Sequence, residues 1–212
     1  MEKISMIIPA YNEEKTIENV VRIACQCKMA QEVIVISDGS TDNTEQRAKN
    51  AGAHVYQLSQ NGGKGQAMLY GFQKTDADII VFLDADLMGI TVQHIESLIQ
   101  PVLKDDCKMM VGLVDRGRFF TTWARFLPKI SGERAITRDI IEAIPQKYMH
   151  GFMVEIAINK SCRSLRYKAG IIRLQGLSIR RKYQKVHFFR AVVQYLSMTA
   201  EILRAIITVK IV

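Results

Sequence analysis

The sequence predicts an α/β fold built on a mostly parallel sheet flanked by helices, and three observations carry that prediction. Apolar runs of strand length alternate with amphipathic helical stretches through the first half of the chain. The run Ile79-Ile80-Val81-Phe82-Leu83 is apolar at every position, as a strand covered on both faces must be. No internal repeat, low-complexity tract or Pro/Ser-rich linker divides the 212 residues, a length that suits one domain with a substantial core.

Taken in order, Ile4 to Pro9 reads as the first strand. Ile17, Val20, Val21 and Ala24 then recur at the spacing of one helix face. Val33-Ile34-Val35-Ile36 is the second strand, and Asp38-Gly39-Ser40-Thr41-Asp42 is a turn that also caps the next helix. Ala53 to Leu58 is a third strand, Lys64 to Lys74 a helix, and the Ile79 run the next strand. A helix from about Thr91 to Leu103 and a strand from Met109 to Leu113 complete this half. Right-handed crossovers between such strands give a parallel sheet. The second half is less regular: Arg138 to Ile144 is a short helix ended by Pro145, Phe152 to Cys162 a longer one, and Ile171 to Leu174 a short strand.

Charge is divided unevenly. Residues 1–110 hold 10 Lys/Arg against 15 Asp/Glu, whereas residues 111–212 hold 19 against 6, for a net charge of +8. The basic half should face something anionic: nucleic acid, a membrane surface or a phosphorylated molecule. Arg163, Arg166, Lys168, Arg173, Arg180, Arg181, Lys182 and Lys185 run without an intervening acid; a solvated face is the plainer reading, an anionic partner the functional one. No nucleic-acid-binding motif accompanies this charge, so no nucleic-acid partner is expected. Cys25, Cys27, Cys107 and Cys162 are scattered without metal-ligand spacing, which favours reduced thiols and a cytoplasmic location. The N-terminus enters a strand at once, and no signal peptide is expected.

The expected organisation is one domain over 1–186, with halves at 1–115 and 116–186, and an apolar helical appendage at 187–212. The longest uncharged stretch of that appendage, Ala191 to Ala200, falls well short of the about 20 residues a spanning helix needs. It must be covered by the domain, by a second subunit in a homodimer, or by the lipid interface. Arg180, Arg181, Lys182, Lys185 and Arg190 would favour an anionic bilayer, in peripheral contact at the cytoplasmic face.

The chemistry concentrates where strands end. Asp84-Ala85-Asp86 follows the buried Ile79 run, with no Lys or Arg between Asp76 and Lys104. Open α/β sheets bind ligands at the C-terminal ends of their strands, and two bare carboxylates there call for a positive partner. A hard divalent ion carrying a phosphorylated molecule is the natural candidate. Three other segments end on the same edge: Pro9-Ala10-Tyr11-Asn12-Glu13-Glu14, Ser37-Asp38-Gly39-Ser40 and Asn61-Gly62-Gly63-Lys64-Gly65. Tyr11 offers a flat face for a base, and Asp38 can accept from a ring N–H. The glycines allow close backbone approach to an anion, with Lys64 adding charge at a helix N-terminus. Taken singly, each segment reads equally well as a turn or a cap. Together, in this order, they do not.

This series, with Ile7-Ile8 preceding Pro9 and Thr41-Asp42 following Ser40, resembles the family 2 glycosyltransferases of the GT-A fold over roughly the first 115 residues. The resemblance implies a nucleotide-sugar donor, most often a UDP-sugar, and Mg2+ or Mn2+. It assigns Pro9, Tyr11, Glu13 and Asp38 to the nucleoside, Gly63 and Ala85 to the nucleotide-sugar, Lys64 to base or phosphate, Asp84 to the ribose or metal, and Asp86 directly to the metal. Ser37 stands where the family usually has an Asp. Further on, Ser131-Gly132-Glu133-Arg134-Ala135 and Gly151-Phe152-Met153-Val154-Glu155-Ile156 are similar to acceptor-side segments of polyprenyl-phosphate sugar transferases such as dolichol-phosphate mannose synthase, and of glucosyl-3-phosphoglycerate synthase. Ile179 takes the place of a metal-binding His of the latter, and the QxxRW signature of processive synthases is absent.

The reading at this level is a metal-dependent transfer of one hexose from a UDP-sugar to a phosphorylated acceptor, a polyprenyl phosphate first and a small phosphoglycerate second. Asp86, Glu133, Arg134 and Glu155 are the expected catalytic group, and Arg134 with Arg138 the expected grip on the acceptor phosphate. Glu133 and Arg134 could equally form a salt-bridged turn, and Glu155 could be a buried Arg partner. The stretch from about Asp115 to Lys129 is expected to close over the donor. A non-catalytic nucleotide-binding scaffold on the same fold is the rival, supported by Ser37 and Ile179.

Overall fold

A computed structural model of the chain describes residues 2–114, 131–151, 153–179 and 208–209. The alternating elements fold as their patterns require. β1 (Ile4–Ala10) leads into α1 (Ile17–Gln26), β2 (Glu32–Ser37), α2 (Thr44–Asn50), β3 (His54–Gln57), α3 (Lys64–Phe72) and β4 (Ile79–Phe82). A two-residue strand β5 (Leu87–Met88) precedes α4 (Val92–Leu103) and β6 (Met109–Val114). After the undescribed residues 115–130 come β7 (Arg134–Thr137), α5 (Arg138–Glu142), α6 (Met153–Ser164), β8 (Ala169–Leu174) and β9 (Ser178–Ile179).

Among the described residues the main sheet has seven strands in the order β3-β2-β1-β4-β7-β6-β8. All pairs are parallel except those made by β7, which runs antiparallel to both β4 and β6. The chain winds outward from β1 through β2 to β3, then returns to place β4 on the other side of β1. The strand order therefore reverses between β1 and β4, and a crevice opens beyond their C-terminal ends. Tyr11 leaves one of those ends and Asp84 the other.

Alternation along β1 divides the core. Met6 and Ile8 point to the face covered by α1 and α4, where Val20, Val21, Ala24, Ile95, Leu98 and Ile99 are buried. Ile7 points to the opposite face, against Ala67, Met68 and Phe72 of α3 and Ile140, Val154 and Ile158 of the second half. Burial on both faces is why these strands read as unbroken apolar runs.

The expectation for residues 187–212 falls outside the described residues except at Thr208 and Val209, as do the stretch from Asp115 to Lys129 and the basic residues from Arg180 onward. Val209 is buried in the second core face, its carbonyl accepting from Lys160 Nζ at 2.7 Å, and the Thr208 carbonyl accepts from Tyr148 Oη at 3.3 Å. Among the described residues no helix is long and apolar enough to cross a membrane.

Candidate active site

Two loops at the C-terminal ends of β1 and β2 are stitched together by their own polar side chains. Asn12, in the left-handed region at φ 54°, accepts the Thr41 N–H on its side-chain oxygen at 2.9 Å, and its own N–H donates to Ser40 Oγ at 3.1 Å. The Glu13 N–H donates to Thr44 Oγ1 at 2.8 Å, and the Glu14 N–H to Asp42 at 3.2 Å. These bonds give the Asn12-Glu13-Glu14 and Ser40 to Thr44 segments a structural purpose that their sequence did not declare. They hold Tyr11 at the crevice, 42% exposed and free to present its ring.

Asp38 has a structural job beside the one its type suggested. Its carboxylate is buried and accepts the Gly62 N–H and the Gly63 N–H, one on each oxygen, both at 2.8 Å. It thereby shapes the Asn61-Gly62-Gly63-Lys64 loop as well as lining the crevice. Gly39 makes this possible: its φ is +67°, and an added Cβ would stand 2.6 Å from the Asn61 nitrogen.

The result is a cleft of about 320 Å³. Its lining includes every residue assigned above to nucleotide or metal: Pro9, Tyr11, Glu13, Asp38, Gly63, Lys64, Asp84, Ala85 and Asp86. Segments spaced over more than seventy residues of chain thus converge on one surface.

At the wall of the cleft lies a charge cluster anchored by the buried Glu155. Lys64 Nζ bridges Asp84 Oδ1 at 2.7 Å and Glu155 Oε1 at 3.0 Å. Burial alone would lower the Lys64 pKa, but Asp84 and Glu155 outweigh it and raise the value, so the ammonium is charged. The absence of Lys or Arg near Asp84 in sequence was therefore misleading, because the fold delivers a cation from the neighbouring loop. Glu155 is placed by the first turn of α6, and the backbone at His150, just before that helix, leaves no room for a Cβ on Gly65. The two halves of the chain meet here.

Glu133 is fully buried; one oxygen accepts from Ser131 Oγ at 2.6 Å and the other has no hydrogen-bond partner among the described residues. Burial, followed by the negative charge of Asp84, pushes its carboxyl up to about 7. A folded-state pKa above the unfolded value means that stability is fully present below about pH 4.5 and lost as pH rises toward 7. Glu133→Gln is therefore expected to leave the melting temperature nearly unchanged at pH 5 and to raise it at pH 8, as thermal melts of both proteins at the two pH values will show.

Gly132 packs directly on the Asp84 carboxylate, and a Cβ there would overlap both oxygens. Gly132→Ala is expected to push Asp84 aside and weaken UDP and Mn2+ binding at least about tenfold while the melting temperature changes little. Calorimetric titration alongside a melt checks this. The signal for Gly132 in the sequence was weak, since one glycine in a polar segment reads as any turn.

The structure places Arg134 in the core and Arg138 at the far end of the strand pair. Arg134 is 0% exposed in β7, between β4 and β6, its Nε donating to the Ser131 carbonyl at 3.1 Å and Nη1 to Asn159 at 3.4 Å. Its guanidinium is a core cation beside Glu155 and Glu133, rather than a solvent-facing anchor. Arg138 lies past the other end of the strand pair, where Thr137 pairs with Ile79. There it donates to the carbonyls of Ala77 and Thr75, both at 2.7 Å, and stacks on Phe72. That is the sheet edge opposite Asp84, so Arg138 does not neighbour Arg134's expected acceptor site. Ile179 pairs with Leu87 in the small β5–β9 ribbon, immediately beside Asp86.

The donor set fits a hard divalent ion. Asp84 and Asp86 are both partly exposed and offer carboxylate oxygens to the cleft. Among the described residues no group of three His, Cys, Asp or Glu side chains converges. Two protein carboxylates, with water and phosphate oxygens completing the shell, is the arrangement Mg2+ favours.

A switch-point crevice with a flat aromatic, a glycine loop and paired carboxylates defines an α/β domain of the kind that binds ligands at the C-terminal ends of its strands. The model of glycosyl transferase family 2 matches residues 5–160. The glucosyl-3-phosphoglycerate synthase of Mycobacterium tuberculosis (strain H37Rv) is 31% identical over 193 residues, covering 73% of this chain and 59% of that enzyme. The undecaprenyl-phosphate 4-deoxy-4-formamido-L-arabinose transferase of Proteus mirabilis is 35% identical over 99 residues, 42% of this chain and 30% of its own. A crystal structure of the Mycobacterium tuberculosis synthase with Mn2+, UDP-glucose and phosphoglyceric acid superposes with a TM-score of 0.81 at 25% identity, covering 98% of this chain and 79% of that one. The chain belongs to glycosyl transferase family 2 and has the GT-A fold, and it spans about 59% of the length of the synthases it matches.

Proposed function

We propose that the chain transfers one hexose from a UDP-sugar to a phosphorylated acceptor, with a small phosphorylated acid of the phosphoglycerate type ahead of a polyprenyl phosphate. The observation that carries the reading is the convergence of nine assigned residues on one cleft at the switch point. The order of acceptors rests on extent of similarity: the phosphoglycerate enzymes match over 193 residues, the undecaprenyl-phosphate enzymes over 99. This reverses the preference the sequence suggested. The basic second half keeps the lipid phosphate as the second reading.

In this reading Tyr11 stacks on the uracil, and Asp38 holds the glycine loop against the diphosphate. Asp86 and Asp84 hold Mg2+ or Mn2+, which when bound offsets the charge that builds on the leaving diphosphate. Lys64 adds a fixed positive charge at the N-terminus of α3, where backbone N–H groups also point at an anion. The bond from the anomeric carbon to the UDP oxygen breaks as the acceptor oxygen attaches. An acceptor hydroxyl passes its proton in that step to the departing diphosphate oxygen, whereas a phosphate oxygen is already anionic and has none to give up.

The test is a screen of UDP-sugars with Mn2+ or Mg2+, offering 3-phosphoglycerate and undecaprenyl phosphate in parallel and identifying products by mass spectrometry. A glycosylated phosphoglycerate supports the first reading and a glycosylated lipid phosphate the second. Absence of UDP release with every donor would return the chain to the scaffold class.

A further inference from the structure

We propose that Lys64 is an internal counter-cation that keeps the divalent-metal position weak until a diphosphate arrives, so that metal and nucleotide enter together. The inference rests on the reading of Asp84 and Asp86 as metal ligands and adds an order of events to it.

The geometry is specific. Lys64 Nζ is 2.7 Å from Asp84 Oδ1, at the distance of a full ion pair, and is held there from behind by Glu155 at 3.0 Å. The Glu155 side chain is only 6% exposed, so the anchor is fixed by packing, while the Lys64 side chain is 31% exposed and opens onto the cleft. A divalent ion approaching Asp84 alone meets an ammonium on that carboxylate and must displace it or share the site at close range. In either case like charges within a few ångström oppose binding. A nucleoside diphosphate changes the balance. Its oxygens supply new anions within reach of an ammonium on a flexible four-carbon stem, and Glu155 continues to hold part of the charge. Lys64 can then leave Asp84 without being left unpaired. The sequence places this lysine directly after the Gly62-Gly63 loop, at the first residue of α3, where a diphosphate is expected. A rearrangement of one side chain is sufficient; no backbone movement is needed.

The contact also links the two halves of the chain, because Glu155 belongs to α6 and Asp84 follows β4. Removing the lysine charge should therefore raise affinity for metal alone, the opposite of what loss of a merely structural residue does.

The experiment measures Mn2+ binding to the intact chain by electron paramagnetic resonance and calorimetry, with and without UDP, for the unmodified protein, Lys64→Met and Lys64→Arg. In the absence of UDP, Lys64→Met is expected to bind Mn2+ about tenfold more tightly than the unmodified protein, and Lys64→Arg to stay weak. The factor by which UDP tightens Mn2+ binding should shrink in Lys64→Met and persist in Lys64→Arg. Lys64→Gln, which retains a donor for Glu155, replaces the Met variant if circular dichroism shows the latter unfolded. Unchanged or weaker Mn2+ binding by the folded neutral variant overturns the proposal. Failure of the unmodified protein to bind UDP with Mn2+ at all overturns instead the nucleotide-sugar reading on which it rests.

Discussion

Replacing Asp86 by alanine is expected to reduce transfer by about a thousandfold or more while the fold survives. The two halves of this expectation have separate causes. Asp86 lines the cleft and is partly exposed, so its carboxylate reaches the site. Its neighbours Ala85 and Leu87 are buried, 4% and 1% exposed, and they fix the backbone through packing that the substitution leaves untouched. Asp84 cannot compensate, because it also carries Lys64 and is crowded by Gly132. Metal-dependent UDP release, read together with circular dichroism, checks both halves. Turnover close to that of the unmodified protein would remove Asp86 from the metal site and with it the present account of donor binding.

The parts of this molecule that could be read from sequence are those governed by local pattern. Ile79 to Phe82 advertises a strand buried on two faces, and Ile17, Val20, Val21 and Ala24 advertise a helix packed on one. Once strands and helices alternate, handedness and crossover fix which loops share an edge, and the cleft residues follow. What escaped was decided by contacts across the chain. β7 is four residues long and begins with an arginine, so nothing in Arg134-Ala135-Ile136-Thr137 distinguishes a central antiparallel strand from a polar loop. The ammonium beside Asp84 comes from twenty positions earlier, and its second partner from Glu155, ninety-one positions away from Lys64. Asp38 was legible as a site residue but not as the clamp on Gly62 and Gly63, since an acceptor carboxylate looks the same whether a base or a backbone amide donates to it. Arg138 illustrates the opposite error. Proximity to Arg134 in sequence suggested a shared phosphate, but four residues of strand carry the two to opposite edges of the sheet.

The same strand makes Arg134 the position where a single change should cost most stability. Arg134→Ala is expected to destabilise the protein by about 3–5 kcal/mol, the range for breaking a buried ion cluster by removing one member. The guanidinium is 0% exposed, donates to the Ser131 carbonyl and Asn159, and interacts electrostatically with Glu155 and Glu133. Without it, Glu155 and Glu133 lose a cation they interact with, and the Ser131 carbonyl loses its donor. The space vacated between β4 and β6 adds a cavity to the electrostatic loss. Arg134→Met, which refills most of that volume, should recover part of the deficit but not the charge term. Urea denaturation of the three proteins separates the contributions, and UDP and 3-phosphoglycerate titrations on the folded fractions complete the test. Both ligands should weaken together as the cluster at the wall of the cleft loosens. A variant of undiminished stability that binds UDP normally and fails only with the acceptor would instead restore Arg134 to the acceptor site, and would require its guanidinium to leave the sheet when substrate binds.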